Sequence, residues 1–457
     1  MDSRHGPQIR EQHTLGVRGY RFMITITAAV VTLGCRLNQA DSALLSDRLR
    51  KAGFQIIEED SEDSPNLIVV NSCAVTATAA RKTRQALAAL RRKHPYAYII
   101  LTGCAAETDP DETADSSDYD LLLPGKDKAK LESMLERRFN ISPAKSIHNQ
   151  LSGDGKIFTE GSVSYFPFKT RANLKIQEGC ENFCSYCIVP HVRGPERSRA
   201  KDEALADFRQ LIESGFHEVV ITGVNVCNYR DGNTRLPELL QDMMQTEGSY
   251  RIRLSSTEPG PVIPELASLI AANDKLCRFL HLPVQAGCDR ILQAMGRKYT
   301  CADFRAMVED ARAKVDDLHV GTDWLIGFPG ETEADFQEAC QFIREMKFSN
   351  LHVFPYSPRK GTPAASLPGR LSVEEMMARL EIAKGIKNEL IMNFARSLIG
   401  REETVLVERQ CGETTYEGLS SNFARIRFRS KDNVVGQFCK VKVSAVSEEG
   451  MIAAKKL

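Results

Sequence analysis

The 457-residue chain has no excess of either charge, since 60 Lys and Arg face 60 Asp and Glu. A protein held on nucleic acid by bulk charge is therefore excluded, and any RNA contact has to come from local patches. No apolar run approaches the roughly 18 residues needed to cross a bilayer, and the apolar stretch Ile24–Leu33 reads as a buried strand. Internal repeats and low-complexity tracts are absent, so the fold is read element by element. Residues 1–22 carry Arg4, Arg10, Arg18 and Arg21 but no apolar core of signal-peptide length. They are expected to be a disordered extension or a mis-assigned start ahead of Met23, and secretion is not expected. The 13 cysteines then read as thiols or metal ligands rather than a disulfide framework, in a reducing cytoplasm.

The length exceeds what one core fills, so several domains are expected, of α/β class. From residue 23 to about 140, strands at Ile24–Leu33, Leu67–Val70 and Tyr98–Leu101 alternate with helices at Ala40–Ala52 and Thr78–Lys93, the pattern of βαβ units on a parallel sheet. Residues 141–168 lose periodicity and gather Ser, Gly and Pro, as a linker does. The core, 169–396, offers strands at Leu174–Gln177, Glu218–Thr222, Arg251–Leu254, Phe279–Pro283, Thr322–Ile326 and Leu351–Pro355, with helices such as Asp202–Ser214 and Ala334–Met346. That order predicts a partial or full (βα) barrel with its chemistry at the strand C-terminal ends. After a helix near Val373–Leu398, residues 397–457 turn to short alternating strands, notably Ala424–Arg429 and Gln437–Val443, and read as a small all-β barrel.

Cys180, Cys184 and Cys187 follow the first core strand with C-x3-C-x2-C spacing. A 4Fe–4S cluster in an electron carrier takes four thiolates, so three leave one iron open to chelate a substrate or cofactor. Structural zinc with His191 as fourth ligand is the alternative, although zinc sites usually pair two separated ligand pairs. Cys35, Cys73 and Cys104 each lie just past a predicted strand. Parallel strands bring such positions to one sheet edge, so three thiols meet there and predict a second metal site with a free position. A lone cysteine is usually a small buried hydrophobe, and Cys227, Cys277, Cys288, Cys301, Cys340, Cys411 and Cys439 are assigned to packing.

The loop, with Tyr186 before Cys187, resembles the signature of the radical S-adenosylmethionine superfamily. With Leu33-Gly34-Cys35 and Asn38, Cys73, Cys104 and the terminal β-barrel, nearly the whole chain resembles the methylthiotransferase family. Arg193-Gly194, Ser198-Arg199, Thr222-Gly223-Val224-Asn225, His281-Leu282-Pro283-Val284-Gln285 and Gly327-Phe328-Pro329-Gly330-Glu331-Thr332 agree with it. The resemblance implies two 4Fe–4S clusters, on Cys180, Cys184 and Cys187 and on Cys35, Cys73 and Cys104, with S-adenosylmethionine as cofactor. One cofactor molecule would methylate a sulfur at the second cluster. Another would be cleaved to a 5′-deoxyadenosyl radical that takes hydrogen from C2 of a purine, a carbon offering no acidic proton to a side-chain base. Both clusters would then face one dry cavity, with the N-terminal sheet edge capping the barrel mouth.

Further implications are a terminal domain like the RNA-binding TRAM domain, tRNA as partner, an electron donor such as a flavodoxin or ferredoxin, and a monomer. Members act on threonylcarbamoyl-bearing or isopentenyl-bearing tRNA adenosines, or on a ribosomal-protein aspartate. Thr32-Leu33-Gly34-Cys35-Arg36-Leu37-Asn38-Gln39, Arg81-Lys82-Thr83-Arg84-Gln85 and Leu351-His352-Val353-Phe354-Pro355-Tyr356-Ser357 resemble the threonylcarbamoyl branch, while Asn225-Val226-Cys227 departs toward the isopentenyl one. Tyr186, Gly223, Asn225 and Gln285 are the expected cofactor contacts; otherwise they are polar groups closing turns.

Period two puts Arg425, Arg427 and Arg429 on one strand face with Ile426 and Phe428 inside, which suits phosphate contact or an ordinary solvated face. The terminal region holds ten basic and eight acidic residues, a net of +2, so bulk charge says little there. Arg81 and Arg84, on the helix after Cys73, are expected nearest the second cluster, where they could read a threonylcarbamoyl carboxylate. Two non-enzyme readings compete: an iron–sulfur electron carrier, and a zinc- or iron–sulfur-stabilised RNA-binding protein.

Overall fold

The computed structural model describes residues 26–457 apart from 60, 62, 109–114, 126–129, 140–149, 152–154 and 161–169. The expected extension 1–22, Ile24 and Thr25, and most of the expected linker lie outside the described residues. The first unit is a parallel sheet, β2-β1-β3-β4-β5, built from β1 (Thr27–Thr32), β2 (Gln55–Ile56), β3 (Leu67–Ser72), β4 (Tyr98–Gly103) and β5 (Leu121–Leu123). Its crossovers are α1 (Arg36–Lys51), α2 (Ala77–Lys93) and the short α3 (Cys104–Glu107). Both sheet faces are covered, which is why β3 and β4 read as unbroken apolar runs. Leu67, Val69 and Ile100 meet Leu45 and Leu49 of α1, while Ile68, Val70, Ile99 and Leu101 meet Leu87 and Leu90 of α2. The Thr76 hydroxyl caps α2 by accepting from the Ala79 N–H, and basic residues close the last turns of both long helices, where the dipole favours them.

The chain continues through β6 (Gln150–Leu151), β7 (Ile157–Thr159), β8 (Ala172–Lys175), β9 (Gln177–Glu178), β10 (Arg197–Arg199), β11 (Glu218–Thr222), the hairpin β12 (Arg230–Asp231) and β13 (Thr234–Arg235), then β14 (Arg251–Leu254), β15 (Phe279–His281), β16 (His319–Ile326) and β17 (Asn350–Pro355). Two parallel three-stranded sheets, β14-β11-β8 and β15-β16-β17, meet at the bridge Ile252–Leu276 and form the partial barrel. The expected linker carries more structure than its composition suggested, because β6 and β7 join β10 and β9 in a four-stranded sheet. Val219, Ile221, Ile252, Leu254, Val320 and Trp324 pack under the surrounding helices. By the two-residue period, Glu218, Arg251, Arg253, His319 and Asp323 occupy the opposite face, which lines the interior.

A helix at Val373–Ser397, opened by the Ser372–Glu375 capping box, leads to a closed barrel, β18-β19-β20-β22-β21. Its strands are β18 (Glu402–Gln410), β19 (Thr415–Ser420), β20 (Arg425–Arg429), β21 (Phe438–Val446) and β22 (Ile452–Lys456). This domain docks on the strand N-termini of the core, at the end opposite the three-cysteine loop. Phe423 stacks near Phe279, with ring centres 4.7 Å apart, and Arg251 and Arg253 donate to the Thr404, Leu419, Ser420 and Ser421 carbonyls. Glu218, fully buried, holds both arginines at 2.6 and 2.7 Å. Among the described residues no helix is long and apolar enough to cross a membrane.

Candidate iron–sulfur and cofactor site

Cys73 and Cys104 follow β3 and β4 directly, and Cys35 is the N-cap of α1. The three thiols gather at the C-terminal edge of the N-terminal sheet, as the strand pattern predicts. Gly34, at φ +115°, makes this possible: a Cβ there would stand 2.5 Å from the Cys73 Cβ. Asn38, fully buried, ties the two loops together by donating to the Leu33 and Ser72 carbonyls at 2.8 and 2.9 Å. Cys35 is exposed, yet enough protein surrounds it that burial still raises its thiol pKa. Burial, against an opposing Val75 N–H, pushes Cys73 up to about 11, and the neighbouring Cys104 and Cys35 add to the rise.

The loop after β9 brings Cys180, Cys184 and Cys187 together at the core strand C-termini. Burial lifts Cys180 to about 11 and Cys187 to about 12, with Cys184 beside both. The Asn182 N–H points at the Cys180 sulfur from 3.5 Å. Arg297 donates to the Cys184 sulfur at 3.4 Å while paired with Glu258. Among the described residues no set of three or more His, Cys, Asp or Glu side chains closes on a single-ion position. Three thiols, backbone donors aimed at sulfur and a nearby guanidinium are a donor set that fits a thiolate-held iron–sulfur cluster in both places.

The expected cofactor contacts fall in two pairs. Gly223 lies against Gln177, whose Cβ a glycine Cβ would approach to 2.9 Å, and the Gln177 side-chain oxygen accepts from the Asn225 N–H at 2.8 Å. Among the described residues the buried Asn225 side-chain oxygen has no partner, an acceptor left open for a ligand donor. Tyr186 packs against the cluster around Ala286 and Phe328, beside Gln285, which sits at φ +67°. That left-handed backbone is uncommon for a non-glycine residue and is held by the Asp323 and Leu325 main chain.

What the sequence did not reveal is the charge network joining the two halves. Arg193 of the core reaches into the N-terminal domain, donating to Asn38 at 2.6 Å and Asp41 at 2.8 Å while also holding Glu178 at 2.9 Å. Lys175 is buried between Asp41, at 2.7 Å, Glu160 and Glu178. Although burial alone would lower it, these carboxylates hold its pKa well above the ordinary lysine value. A cavity of about 340 Å³ opens behind Cys104, lined by Asp41, Glu107, Lys175, His191 and Arg193. A lone lysine in β8 was the available signal, since Asp41 stands among the many polar residues of α1.

On the terminal barrel the arginine row is exposed and Ile426 and Phe428 are buried, as period two predicts. The row is not bare. Glu417, with a fully buried side chain, binds Arg409 at 2.7 Å and Arg425 and Arg427 at 2.8 Å each, and Arg425 also meets Glu408 at 3.1 Å. Burial opposes ionisation of Glu417, yet hydrogen bonds from Arg427, Arg409 and Arg425 keep its pKa down at about 2. Four guanidiniums, Arg429 included, against two carboxylates leave the face positive. Arg81 and Arg84 lie on the exposed side of α2.

A parallel partial barrel whose first strand leads into this loop defines the class, a radical S-adenosylmethionine enzyme: residues 174–343 match the Radical SAM superfamily. Residues 27–124, which hold Cys35, Cys73 and Cys104, match uncharacterized protein family UPF0004. The threonylcarbamoyladenosine tRNA methylthiotransferase MtaB of Thermotoga maritima is 33% identical over 94% of this chain and 97% of that protein. The tRNA-2-methylthio-N(6)-dimethylallyladenosine synthase of Carboxydothermus hydrogenoformans is 32% identical over 91% of this chain and 96% of its own length. The radical S-adenosylmethionine methyltransferase TsrM of Kitasatospora setae, with cobalamin and a 4Fe–4S cluster bound, shares the fold, with a TM-score of 0.52 at 16% identity over 75% of this chain and 77% of that one. The chain belongs to the radical S-adenosylmethionine methylthiotransferase family and is an enzyme that uses an iron–sulfur cluster and S-adenosylmethionine.

Proposed function

We propose that the protein is a tRNA methylthiotransferase that converts N6-threonylcarbamoyladenosine next to the anticodon to its 2-methylthio form. The observation that carries the two-cluster reading is Arg193, whose guanidinium, bonded to Asn38, Asp41 and Glu178, ties the N-terminal thiol edge to the strand that leads into Cys180. The threonylcarbamoyl branch draws on the MtaB relatives and on the strings at 32–39, 81–85 and 351–357. When bound, the clusters supply the electron that cleaves the cofactor and the sulfur that is transferred. Cys180, Cys184 and Cys187 hold one, and Cys35, Cys73 and Cys104 the other. Tyr186, Gly223, Asn225 and Gln285 form the cofactor pocket; Asn38, Asp41, Lys175 and Arg193 fix the gap in which the base lies and keep it dry. Arg425, Arg427 and Arg429, with Arg81 and Arg84, contact RNA phosphates. The enzyme works as a cytoplasmic monomer, reduced by a flavodoxin or ferredoxin.

Nucleoside mass spectrometry on tRNA from cells lacking the protein tests the substrate. Loss of 2-methylthio-threonylcarbamoyladenosine with the isopentenyl product intact is expected, and the reverse pattern refutes it. Iron analysis after anaerobic reconstitution should give about eight irons per chain, falling to about four in Cys73→Ala. One or two zincs and no visible absorption band would remove the enzyme reading.

A further inference from the structure

Arg36 occupies the first position of α1, directly after Cys35. The positive end of a helix disfavours a cation there, and the first turn carries no acidic residue to offset it. The side chain reaches to Phe423, its guanidinium carbon 5.4 Å from the ring centre, and Arg253 rests on the same ring at 5.0 Å. The nearby carboxylates are already engaged: Glu218 by Arg251 and Arg253, Glu408 by Arg171 and Arg425. Arg36 makes no hydrogen bond or ion pair with any described residue. A partly buried cation beside other arginines, with no carboxylate of its own in direct contact among the described residues, costs stability, and local rules are broken in this way mainly where a ligand restores the balance.

We propose that Arg36 receives the carboxylate of an anionic substituent on the substrate base and thereby selects that base over one carrying an uncharged hydrocarbon. The inference rests on the reading above, in which the substituent is threonylcarbamoyl. Purine C2 must lie at the sulfur edge formed by Cys35, Cys73 and Cys104, and N6 lies across the ring from it. Arg36 is one residue past Cys35, and its guanidinium reaches the ring of Phe423 beside the interior-facing Arg253, so on this proposal the substituent runs from the sulfur edge inward along the barrel toward that guanidinium. The His281–Asp323 pair, 3.1 Å apart, and His352, its ring 5.5 Å from that of His281, lie on the strands lining the same interior and can bond a hydroxyl or carbamoyl group. A guanidinium matches a carboxylate with two parallel N–H donors, which a lysine cannot. On this account Arg81 and Arg84, exposed on α2, serve the RNA backbone rather than the carboxylate.

The test measures binding of an anticodon stem-loop RNA bearing threonylcarbamoyladenosine, and of the same RNA with the threonyl carboxylate as its methyl ester, to reconstituted enzyme. The wild type should prefer the acid by about tenfold or more. Arg36→Gln should bring the ratio near one with ester affinity unchanged, and Arg36→Lys should lower it severalfold, while iron content and the visible spectrum stay as in the wild type. A wild type that binds neither RNA removes the substrate reading and this inference with it, and one that binds both equally removes the inference alone. A wild type that discriminates, with Arg36→Gln discriminating equally, removes the inference alone. If Arg36→Gln fails to fold, Arg36→Lys decides, and an undiminished ratio overturns the paired contact.

Discussion

Replacing Arg193 by Gln should separate radical formation from sulfur transfer. The guanidinium is buried and makes its bonds in two domains, so its loss removes one cation from Asp41, which keeps Lys175 at 2.7 Å, and one from Glu178, which keeps Lys175 at 3.5 Å and Arg197 at 3.8 Å. Breaking a buried ion pair by removing one partner costs about 3–5 kcal/mol, and the low end applies because Lys175 remains. None of the six cysteines is altered, so each set of three thiols stays intact. What loosens is the docking of Asn38 and Asp41, hence the gap between the two thiol edges. A misplacement of about 1 Å can cost on the order of a hundredfold in rate for a step that depends on position. Reconstituted Arg193→Gln should therefore still cleave S-adenosylmethionine to 5′-deoxyadenosine at close to the wild-type rate. Methylthio product per deoxyadenosine should fall at least tenfold, and urea denaturation should show a loss of about 3 kcal/mol. A variant whose product-to-deoxyadenosine ratio stays within twofold of wild type would refute the idea that this arginine sets the gap.

Two further outcomes follow from the terminal barrel. Glu417 has its pKa at about 2 in the folded chain against the ordinary value of 4.5, so its contribution is present above pH 4.5 and is lost as pH falls from there toward 2. Glu417→Gln should be less stable than wild type by about 2 kcal/mol at neutral pH, discounted because the partner arginines are half exposed, and the two should converge near pH 2; parallel stability curves would contradict this. Arg429→Ala, lacking a carboxylate partner among the described residues, should weaken tRNA binding evenly across sequences and reduce the salt slope by about 1, whereas an unchanged slope would take the row off the RNA.

The strands of the first sheet and the barrel were legible because their apolar runs and alternation repeat over short windows. The cysteine trios were legible for the same reason: a residue just past a parallel strand has its position set by that strand. Arg193, Asp41 and Lys175 were not, since they are separated by well over a hundred residues in places and meet only through tertiary packing. Period two gave the side on which Arg425 and Arg427 lie. It could not give Glu417 on the neighbouring strand, because the pairing of β19 with β20 decides which charge stands opposite which. Arg36 was read only as part of a string, and the engagement of the carboxylates near it by other arginines is a property of the assembled interface.

The reach of Arg193 across the domain boundary also bears on the order in which the protein is made. The ribosome releases Cys35, Cys73 and Cys104 well before residue 193, so for a time the sheet edge exists without the guanidinium that bonds Asn38 and Asp41. During that interval three thiols stand together on an edge that the core has yet to cover. On the two-cluster proposal, iron delivered then would enter a more open pocket than iron delivered after the core has folded. Maturation of that proposed site would thereby be coupled to completion of the barrel, and a nascent chain stalled before residue 193 should bind iron in a form that air or chelator removes more readily than from the finished enzyme.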